Sequence, residues 1–300
     1  MRRVLSYLIK EADTGKRVDL FLRSRGFSHH ILTQLKRTDN GLLLNGSRCL
    51  VSALLQKGDL LTVTLEEPVP SQNVLPVFLP LSIVYEDEDL CVLDKPAGMP
   101  VHPSINNHEN TLANGLAWYF KEQNLPYVCR FINRLDRDTT GLLIAAKHAL
   151  SASVLSDMLK KREIHREYLA LVKGKTPASG TISAPIARLP GSALKRCVDF
   201  AHGEKAVTHF TTLDYRPDRY ENGCSLISLY LETGRTHQIR VHMNFIGHPL
   251  PGDFLYCPDN TFIQRQALHS YRLSFAHPIT GEALSFTSPL PEDMRHAFYD

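Results

Sequence analysis

At 300 residues, with 43% apolar and 22% charged side chains, the chain can bury one sizeable core and a small accessory domain, as an ordinary globular protein does. Its first apolar patch, Val4 to Ile9, is broken by Lys10 and Glu11. The patch is too short for a signal peptide or a bilayer span, and no later stretch approaches one, which excludes a membrane protein. The six cysteines, Cys49, Cys91, Cys129, Cys197, Cys224 and Cys257, are scattered without a C-x-x-C pair; this argues against a thiolate metal site and for reduced thiols in the cytoplasm.

The net charge of +3 conceals an asymmetry. Residues 1–66 hold 11 Lys and Arg against 6 Asp and Glu, whereas the rest hold 23 against 25. The N-terminal piece is therefore the expected nucleic-acid footprint. Within it, Arg17 to Gly26 reads as a short helix with Val18, Phe21 and Leu22 on one face, and Ser28 can cap a second helix through Ile31, Leu32 and Leu35. Arg23, Arg25, Lys36 and Arg37 make the polar side of these helices basic. Asn45-Gly46 between Leu42–Leu44 and Arg48–Val51 signals a hairpin, and Lys57-Gly58-Asp59 turns the chain into a strand at Leu60 to Leu65. Two basic helices followed by small strands, with L-x-N-G and K-x-G-D turns, resemble the S4-type RNA-binding module over residues 16–65.

Pro68, Pro70, Pro76 and Pro80 mark residues 67–80 as an extended linker, so residues 1–66 are expected to form one domain and residues 81–300 a second. Two short strands, Ile83–Tyr85 and Leu90–Leu93, flank an acidic turn, and Asp94-Lys95-Pro96-Ala97-Gly98 breaks the chain. Thr111 to Phe120 reads as an amphipathic helix.

Next comes the most charged stretch, RFINRLDRDTTGLLIAAK, from Arg130 to Lys147. It sets Asp136 between Arg134 and Arg137, with Asp138 adjacent, at the mouth of a buried strand, Leu142 to Ala146. Guanidinium groups within about 4–6 Å hold a carboxylate ionised, which suits a nucleophile or a stabiliser of positive charge. A helix over 150–162 and a strand Tyr168 to Val172 follow. Residues 173–225 read as loops around one strand, Val207 to Leu213, and Leu226 to Leu231 is another strand.

The stretch LETGRTHQIRVHMNFIGHPLPGDFLY then places a tight turn at Gly234 and a helix from Thr236, with Arg240 one turn beyond His237. A turn, a helix start and Arg235 together suit an anionic phosphate. His237 and His242 are five apart and point away from each other on a helix, which argues against zinc. Two antiparallel strands around the turn Pro278–Gly281 end the pattern. Many short strands with three or four helices make the fold class α+β, with a mixed, mainly antiparallel sheet.

Four segments carry a resemblance to a known family. RFINRLDRDTTGLLIAAK is similar to the signature H-R-L-D-x-x-T-S-G-L of RluA-type pseudouridine synthases, and LETGRTHQIRVHM with IGHPLPGDFLY to their second long signature. DEDLCVLDKPAGMPVHP and REYLALVKG resemble two further segments of the family in the same order, so that the resemblance spans about residues 80–290. Asn133 stands where the family has His, and Thr140 where it has Ser. Neither departure touches the carboxylate.

The resemblance implies a pseudouridine synthase fold, an isomerase and three site residues. Asp136 would be the catalytic aspartate, Arg240 the arginine that pairs with it, and Tyr168 the ring on which the target uracil stacks. Converting uridine to pseudouridine breaks N1–C1′ and joins C5 to C1′, with no redox step and no external energy, so no cofactor or metal is implied. Arg134, Arg137, Arg235 and His237 at the site, with Arg23, Arg25, Lys36 and Arg37 in the N-terminal module, are the expected RNA contacts. Lys161, Arg162 and Arg166 could hold flanking phosphates. The expected partner is structured RNA, ribosomal or transfer, bound by a cytoplasmic monomer without an obligate protein partner. A non-catalytic RNA-binding factor with the same fold is the competing reading, and a glycosidase would need a second carboxylate, for which Asp253 is available.

Overall fold

The computed structural model describes residues 1–300 apart from positions 68, 70, 72, 105 and 106. An N-terminal unit starts with strand β1 (Arg2–Leu8), passes through helices α1 (Val18–Arg23) and α2 (His29–Arg37), and closes with β2 (Leu42–Leu44), β3 (Ser47–Arg48) and β4 (Leu60–Glu66). Its strands form an antiparallel sheet in the order β1-β4-β2-β3. The helices bury Val18, Phe21 and Leu22 from α1 and Ile31, Leu32 and Leu35 from α2 in one cluster with Leu61 and Val63 of β4. Ser28 caps α2 by accepting the amide of Ile31 at 3.3 Å. Asn45 and Gly46 take φ of 51° and 81°, the positive values that a tight hairpin between β2 and β3 requires.

The remaining chain adds β5 (Ser82–Glu86), β6 (Leu90–Lys95), α3 (Leu112–Glu122), β7 (Thr140–Ala146), α4 (Ala149–Lys161), β8 (His165–Lys173), β9 (Ser179–Ser183), β10 (Ile186–Arg188), β11 (Arg196–Val198), β12 (Val207–Arg216), β13 (Cys224–Leu231), α5 (Gln238–Phe245), β14 (Leu268–Ala276), β15 (Ala283–Thr287) and α6 (Glu292–Tyr299). Nine of these strands make one sheet, ordered β5-β6-β7-β14-β8-β13-β12-β9 with β15 against β14. Among the described residues β7 and β14 are its parallel pair, and the other pairs run antiparallel. The fold is α+β with a mixed, mainly antiparallel sheet.

The central strand β7 is buried along its whole length because both faces are covered. Leu143 and Ala145 pack with Leu112, Leu116 and Phe120 of α3, while Leu142 and Ile144 pack with Leu155 and Met158 of α4. That two-sided burial explains why its sequence is a continuous apolar run and not an alternation. Gly141 has φ of 106°, and a Cβ there would lie 2.2 Å from the carbonyl oxygen of Ser270. A side chain at 141 would separate β7 from β14.

Residues 173–225, read from sequence as loops around one strand, instead hold β9, the small β10–β11 hairpin and a ten-residue β12. These strands are short and broken by Gly and Pro, so no periodicity announces them. Helix α6 also lies outside the sequence expectation. Pro68 and Pro70 of the expected linker fall outside the described residues. Further along it, Asn114 of α3 donates its side-chain amide to the carbonyl of Leu75 at 2.7 Å and accepts the amide of Val77 on its own carbonyl at 3.2 Å.

Ionic contacts join the N-terminal unit to the large sheet. Arg3 of β1 donates to both oxygens of Asp89 at 2.8 and 3.0 Å and to Glu88 at 2.6 Å. His148, whose Nδ1 accepts the amide of Ser151, donates from Nε2 to Asp89 at 2.8 Å. Burial alone would raise the Asp89 carboxyl, but hydrogen bonds from His148 and Arg3 outweigh it and hold the group down to about 2. Glu67, just past β4, accepts from Arg130 at 2.8 Å and from the amide of Ala149, the first residue of α4, at 2.9 Å.

Candidate active site

The loop before β7 carries Asp136, and its backbone is held from below. Thr139 donates its amide to the carbonyl of Asp136 at 3.1 Å, closing a turn. Lys95, at the end of β6 and only 1% exposed, donates to the carbonyls of Pro96 and Arg137 at 2.7 and 2.8 Å. Burial, opposed by Asp138 and Asp136, lowers its ammonium to about 7. Arg265 donates to the carbonyl of Asp138 at 3.2 Å while a bidentate pair at 2.7 and 2.9 Å ties it to Asp293 of α6. Helix α6 thus reaches the site through one arginine.

Asn133 has a structural explanation. Its side-chain oxygen accepts the amide of Ile144 at 2.9 Å and its nitrogen donates to the carbonyl of Leu142 at 3.4 Å, so it fastens the loop to β7. Thr140 shares a 2.9 Å hydrogen bond with Nδ1 of His269 on β14.

Arg240 comes from α5 and is 2% exposed. It donates from Nη1 to Asp136 Oδ2 at 2.8 Å, and from Nε and Nη2 to the two oxygens of Asp253 at 2.6 and 2.8 Å. Burial disfavours its charge, but the carboxylates of Asp253 and Asp136 outweigh that and push its pKa up, so the guanidinium stays cationic. Asp253 also accepts the amides of Leu255 and Tyr256 at 3.0 and 3.3 Å. With both oxygens engaged and no exposure, Asp253 orients Arg240 and is not placed as a second acid or base. Asp136 differs: its side chain is 19% exposed, and its Oδ1 receives no hydrogen bond among the described residues.

A cavity of ≈ 510 Å³ opens at this carboxylate, lined by Asp136, Tyr168, His237, Arg240, Arg166 and Leu268 among others. That volume suits a small organic group such as a nucleoside. Tyr168, at the start of the buried part of β8, forms part of its wall and is 4% exposed. His237 precedes α5 with φ of 58°, contacts the Tyr256 hydroxyl through Nδ1 at 3.1 Å, and brings Nε2 to 3.9 Å from Asp136 Oδ2. Burial lowers its pKa against the pull of Asp136, so the ring is neutral at pH 7. Gln238 fixes the preceding turn by accepting the amide of Arg235 at 3.0 Å and donating to the carbonyl of Val207 at 2.9 Å.

The structure therefore gathers Asp136, Tyr168, Arg240, Arg134 and His237 at one cavity, and Arg235 at its edge. Arg235 is ion-paired with Glu204, and Arg137 with Asp138 at 2.8 Å. Arg23 and Arg25 line a separate groove beside α4, whereas Lys36 and Arg37, exposed at the far end of α2, line neither hollow. The three histidines of the second stretch diverge: His242 contacts Thr208 and the carbonyl of Ala184, His248 the carbonyl of Lys173, and His237 faces Asp136. Asp87, Asp89 and His277 do cluster, but Asp89 is occupied by Arg3 and His148, and His277 donates to Asp87 at 2.8 Å. Sequence reasoning missed Lys95 and Arg265, and named Asp253 only as the second carboxylate that a glycosidase would need. A buried cation bonded to carbonyls has no motif, and only the GDFLY turn hints at Asp253.

Comparison with known proteins gives the family. A sequence model described as RNA pseudouridylate synthase matches residues 89–245, a span that contains Asp136, Tyr168 and Arg240. The chain belongs to the RNA pseudouridylate synthase family. It is 41% identical to the uncharacterized RNA pseudouridine synthase YjbO of Bacillus subtilis over 90% of this chain and 93% of that one. It is 37% identical to the ribosomal large subunit pseudouridine synthase D of Zymomonas mobilis over 97% and 95% of the two chains. Human RNA pseudouridylate synthase domain containing 1 superposes with a TM-score of 0.58 at 28% identity, covering 70% of this chain and 83% of that one. The chain is accordingly an isomerase of the pseudouridine synthase type, and its substrate is RNA.

Proposed function

We propose that this synthase isomerises uridine in large-subunit ribosomal RNA, with Asp136 acting at the sugar carbon C1′. The observation that carries the assignment is the asymmetry of the carboxylate: Arg240 holds Oδ2, while Oδ1 has no protein donor among the described residues and Asp136 lines the cavity. Arg240, itself aimed by Asp253, keeps an anion beside the carbon that becomes electron-poor as N1–C1′ breaks. The freed uracil turns, C5 joins C1′, the proton leaves C5 and N1 gains one. Atoms and electrons balance without a cofactor. Tyr168 offers its ring to the turned-out base and its hydroxyl to the proton at C5. Extruding the base costs a few kcal/mol, least where the RNA is looped or bulged.

The ribosomal assignment draws on the named activity of relatives such as the Zymomonas mobilis enzyme. In this reading residues 1–66 are an S4-like RNA-binding domain, residues 67–80 a linker and residues 81–300 the catalytic domain, working as a cytoplasmic monomer without an obligate protein partner. Among the described residues no helix is long and apolar enough to cross a membrane. Arg134, Arg137, Arg235 and His237 contact RNA at the cavity, and Arg23, Arg25, Lys36 and Arg37 contact it from the N-terminal unit.

Site-resolved mapping of pseudouridine in ribosomal and transfer RNA tests this directly. A deletion strain is expected to lose at least one large-subunit position, which the wild-type gene restores and Asp136→Asn does not. If no position changes and the purified protein modifies no unmodified transcript, a binding factor with the synthase fold replaces the proposal.

A further inference from the structure

The Asp136 cavity does not end at the active site. Lys160, exposed in the last turn of α4, lines that cavity together with Leu159 and Arg166, and it also lines a groove of ≈ 730 Å³ on the other side of the helix. The groove runs between α4 and the N-terminal unit, whose Arg23, Ser24 and Arg25 form its far wall. Its floor is fixed. Ser153 of α4 donates to the carbonyl of Gly26 at 2.8 Å, and a Cβ at Gly26 would stand 2.5 Å from Cγ2 of Val154.

Ion pairing sorts the cations around this path. Lys161 is paired with Asp157 at 2.7 Å, Arg162 with Glu232 at 2.9 Å, Arg235 with Glu204 and Arg25 with Asp13 at 3.5 Å. Arg166, Lys160 and Arg23 make no ion pair among the described residues; Arg23 contacts only Nδ1 of His29, at 3.5 Å, and Nε of Arg166 is buried without a hydrogen-bond partner. The unpaired cations thus follow one another from the cavity wall, across the end of α4, to the wall of the groove. Neutralised Lys161, Arg162 and Arg25 flank them, and Arg134 adds a further cation without an ion pair among the described residues at the cavity. An unpaired cation loses no existing partner when it takes a phosphate, so this sequence of three is where a polyanion gains most.

We propose that the groove between α4 and the N-terminal unit holds the RNA strand that continues from the target uridine, with Arg166, Lys160 and Arg23 taking successive stretches of its phosphate backbone. The inference rests on the uridine entering the Asp136 cavity. Arg23, Arg25, Lys160 and Lys161 line the groove against Asp157 and Glu163, a net positive wall that fits a splayed single strand, which can leave the cavity without the partner strand. Lys160 is then the residue that couples modification at the cavity to binding by the N-terminal unit. Because Arg3–Asp89 and Ser153–Gly26 hold that unit against α4, the spacing between cavity and groove is fixed before RNA arrives.

The test uses the full chain and an unmodified transcript of large-subunit ribosomal RNA as probe. Equilibrium binding is measured from 50 to about 300 mM salt for wild type, Lys160→Gln with Arg23→Gln, and Lys161→Gln with Arg162→Gln, which removes the same charge from paired positions. The first double variant is expected to bind about tenfold more weakly and to flatten the log–log salt slope by about 1.4, since each single-strand phosphate contact contributes about 0.7. The second is expected to shift it by less than half as much. Equal effects in the two variants, or none in the first, overturn the track. Pseudouridine formation is read in parallel across a range of RNA concentrations, where the loss in the first variant is expected to fall more on KM than on kcat. Binding slopes that follow the expectation while wild type makes no pseudouridine would sink the reading of the cavity and leave the binding groove standing.

Discussion

Two of the clusters in which aspartate meets arginine and histidine, one at a joint and one at the cavity, are built to opposite ends. At the joint between the N-terminal unit and the sheet, Asp89 spends both oxygens on Arg3 and a third contact on His148, and its side chain is 4% exposed. At the cavity, Asp136 gives one oxygen to Arg240 and leaves the other without a donor among the described residues. The arginines do not make the difference: Arg3 donates from Nε and Nη2 to Asp89 and from Nη1 to Glu88, and Arg240 in the same way from Nε and Nη2 to Asp253 and from Nη1 to Asp136. A saturated carboxylate is a fastener, and its chemistry is used up in holding the fold. A carboxylate held at one end by a buried, doubly paired cation is fixed in place and still able to react. What separates joint from site is the unused valence at a fixed position, and not residue type.

Exchanging the two losses gives the largest effect. Asp89→Ala takes the carboxylate from the 1%-exposed His148 and the bidentate partner from Arg3, which keeps only Glu88, and is expected to cost about 3–5 kcal/mol of stability while kcat of the folded enzyme is kept. Asp136→Ala is expected to shift stability by only about 1 kcal/mol, because Arg240 retains Asp253, and to abolish pseudouridine formation. Urea unfolding and turnover on the same preparations decide it. Comparable destabilisation by both variants would mean that Asp136 is a fastener as well. The acid limit of the joint follows from its sign: Asp89 lies below its ordinary value in the folded state, so its contribution is complete above about 4 and disappears as pH falls through about 2.

A smaller effect is expected from Asp253→Asn. The amide keeps the shape and one acceptor, but Arg240 loses half of a charged bidentate pair and its aim at Asp136 loosens. The expected result is a fall in kcat of about 10–100-fold with KM for RNA little changed, because Asp253 is fully buried and positions Arg240 behind Asp136. A change confined to KM would show that Arg240 serves RNA binding more than the carboxylate.

Much of this architecture was legible in the sequence, for reasons particular to each element. Strand β7 was readable because two-sided burial forces an unbroken apolar run, and α2 because Ser28 and the spacing of Ile31, Leu32 and Leu35 announce a capped amphipathic helix. The meeting of Asp136 and Arg240, 104 residues apart, follows from no local rule; it came from resemblance to a family, and the structure brings the two side chains to 2.8 Å. Lys95 and Arg265 were invisible for a different reason. Each lies among ordinary turn residues, and its task, holding carbonyls of the Asp136 loop from below, exists only once three separate segments have folded together. Strands β9 to β11 escaped because they are too short to show a period.

Lys95 provides the subtlest test, since it supports the open carboxylate without touching it. Its ammonium is pressed from 10.5 to about 7 in the folded protein, with burial as the largest cause. Between those values the unfolded chain binds the proton that the folded chain has released, so stability rises with pH across that window. Below about 7 the group is protonated in both states and its contribution is flat. Other groups titrate in the same range, among them Tyr and Cys side chains pushed the opposite way, so the quantity to follow is a difference: unfolding free energy of wild type minus that of Lys95→Met, measured in urea at pH 6, 7.5 and 9. The difference is expected to climb in favour of wild type by up to about 1 kcal/mol per pH unit above 7 and to stay level below it. Removing the amine also strands the carbonyls of Pro96 and Arg137, which lowers the variant at every pH and leaves the slope untouched. Parallel pH profiles would mean that Lys95 keeps its proton throughout, held by Asp138, Asp136 and Asp94, and that the Asp136 loop is braced by a permanent cation.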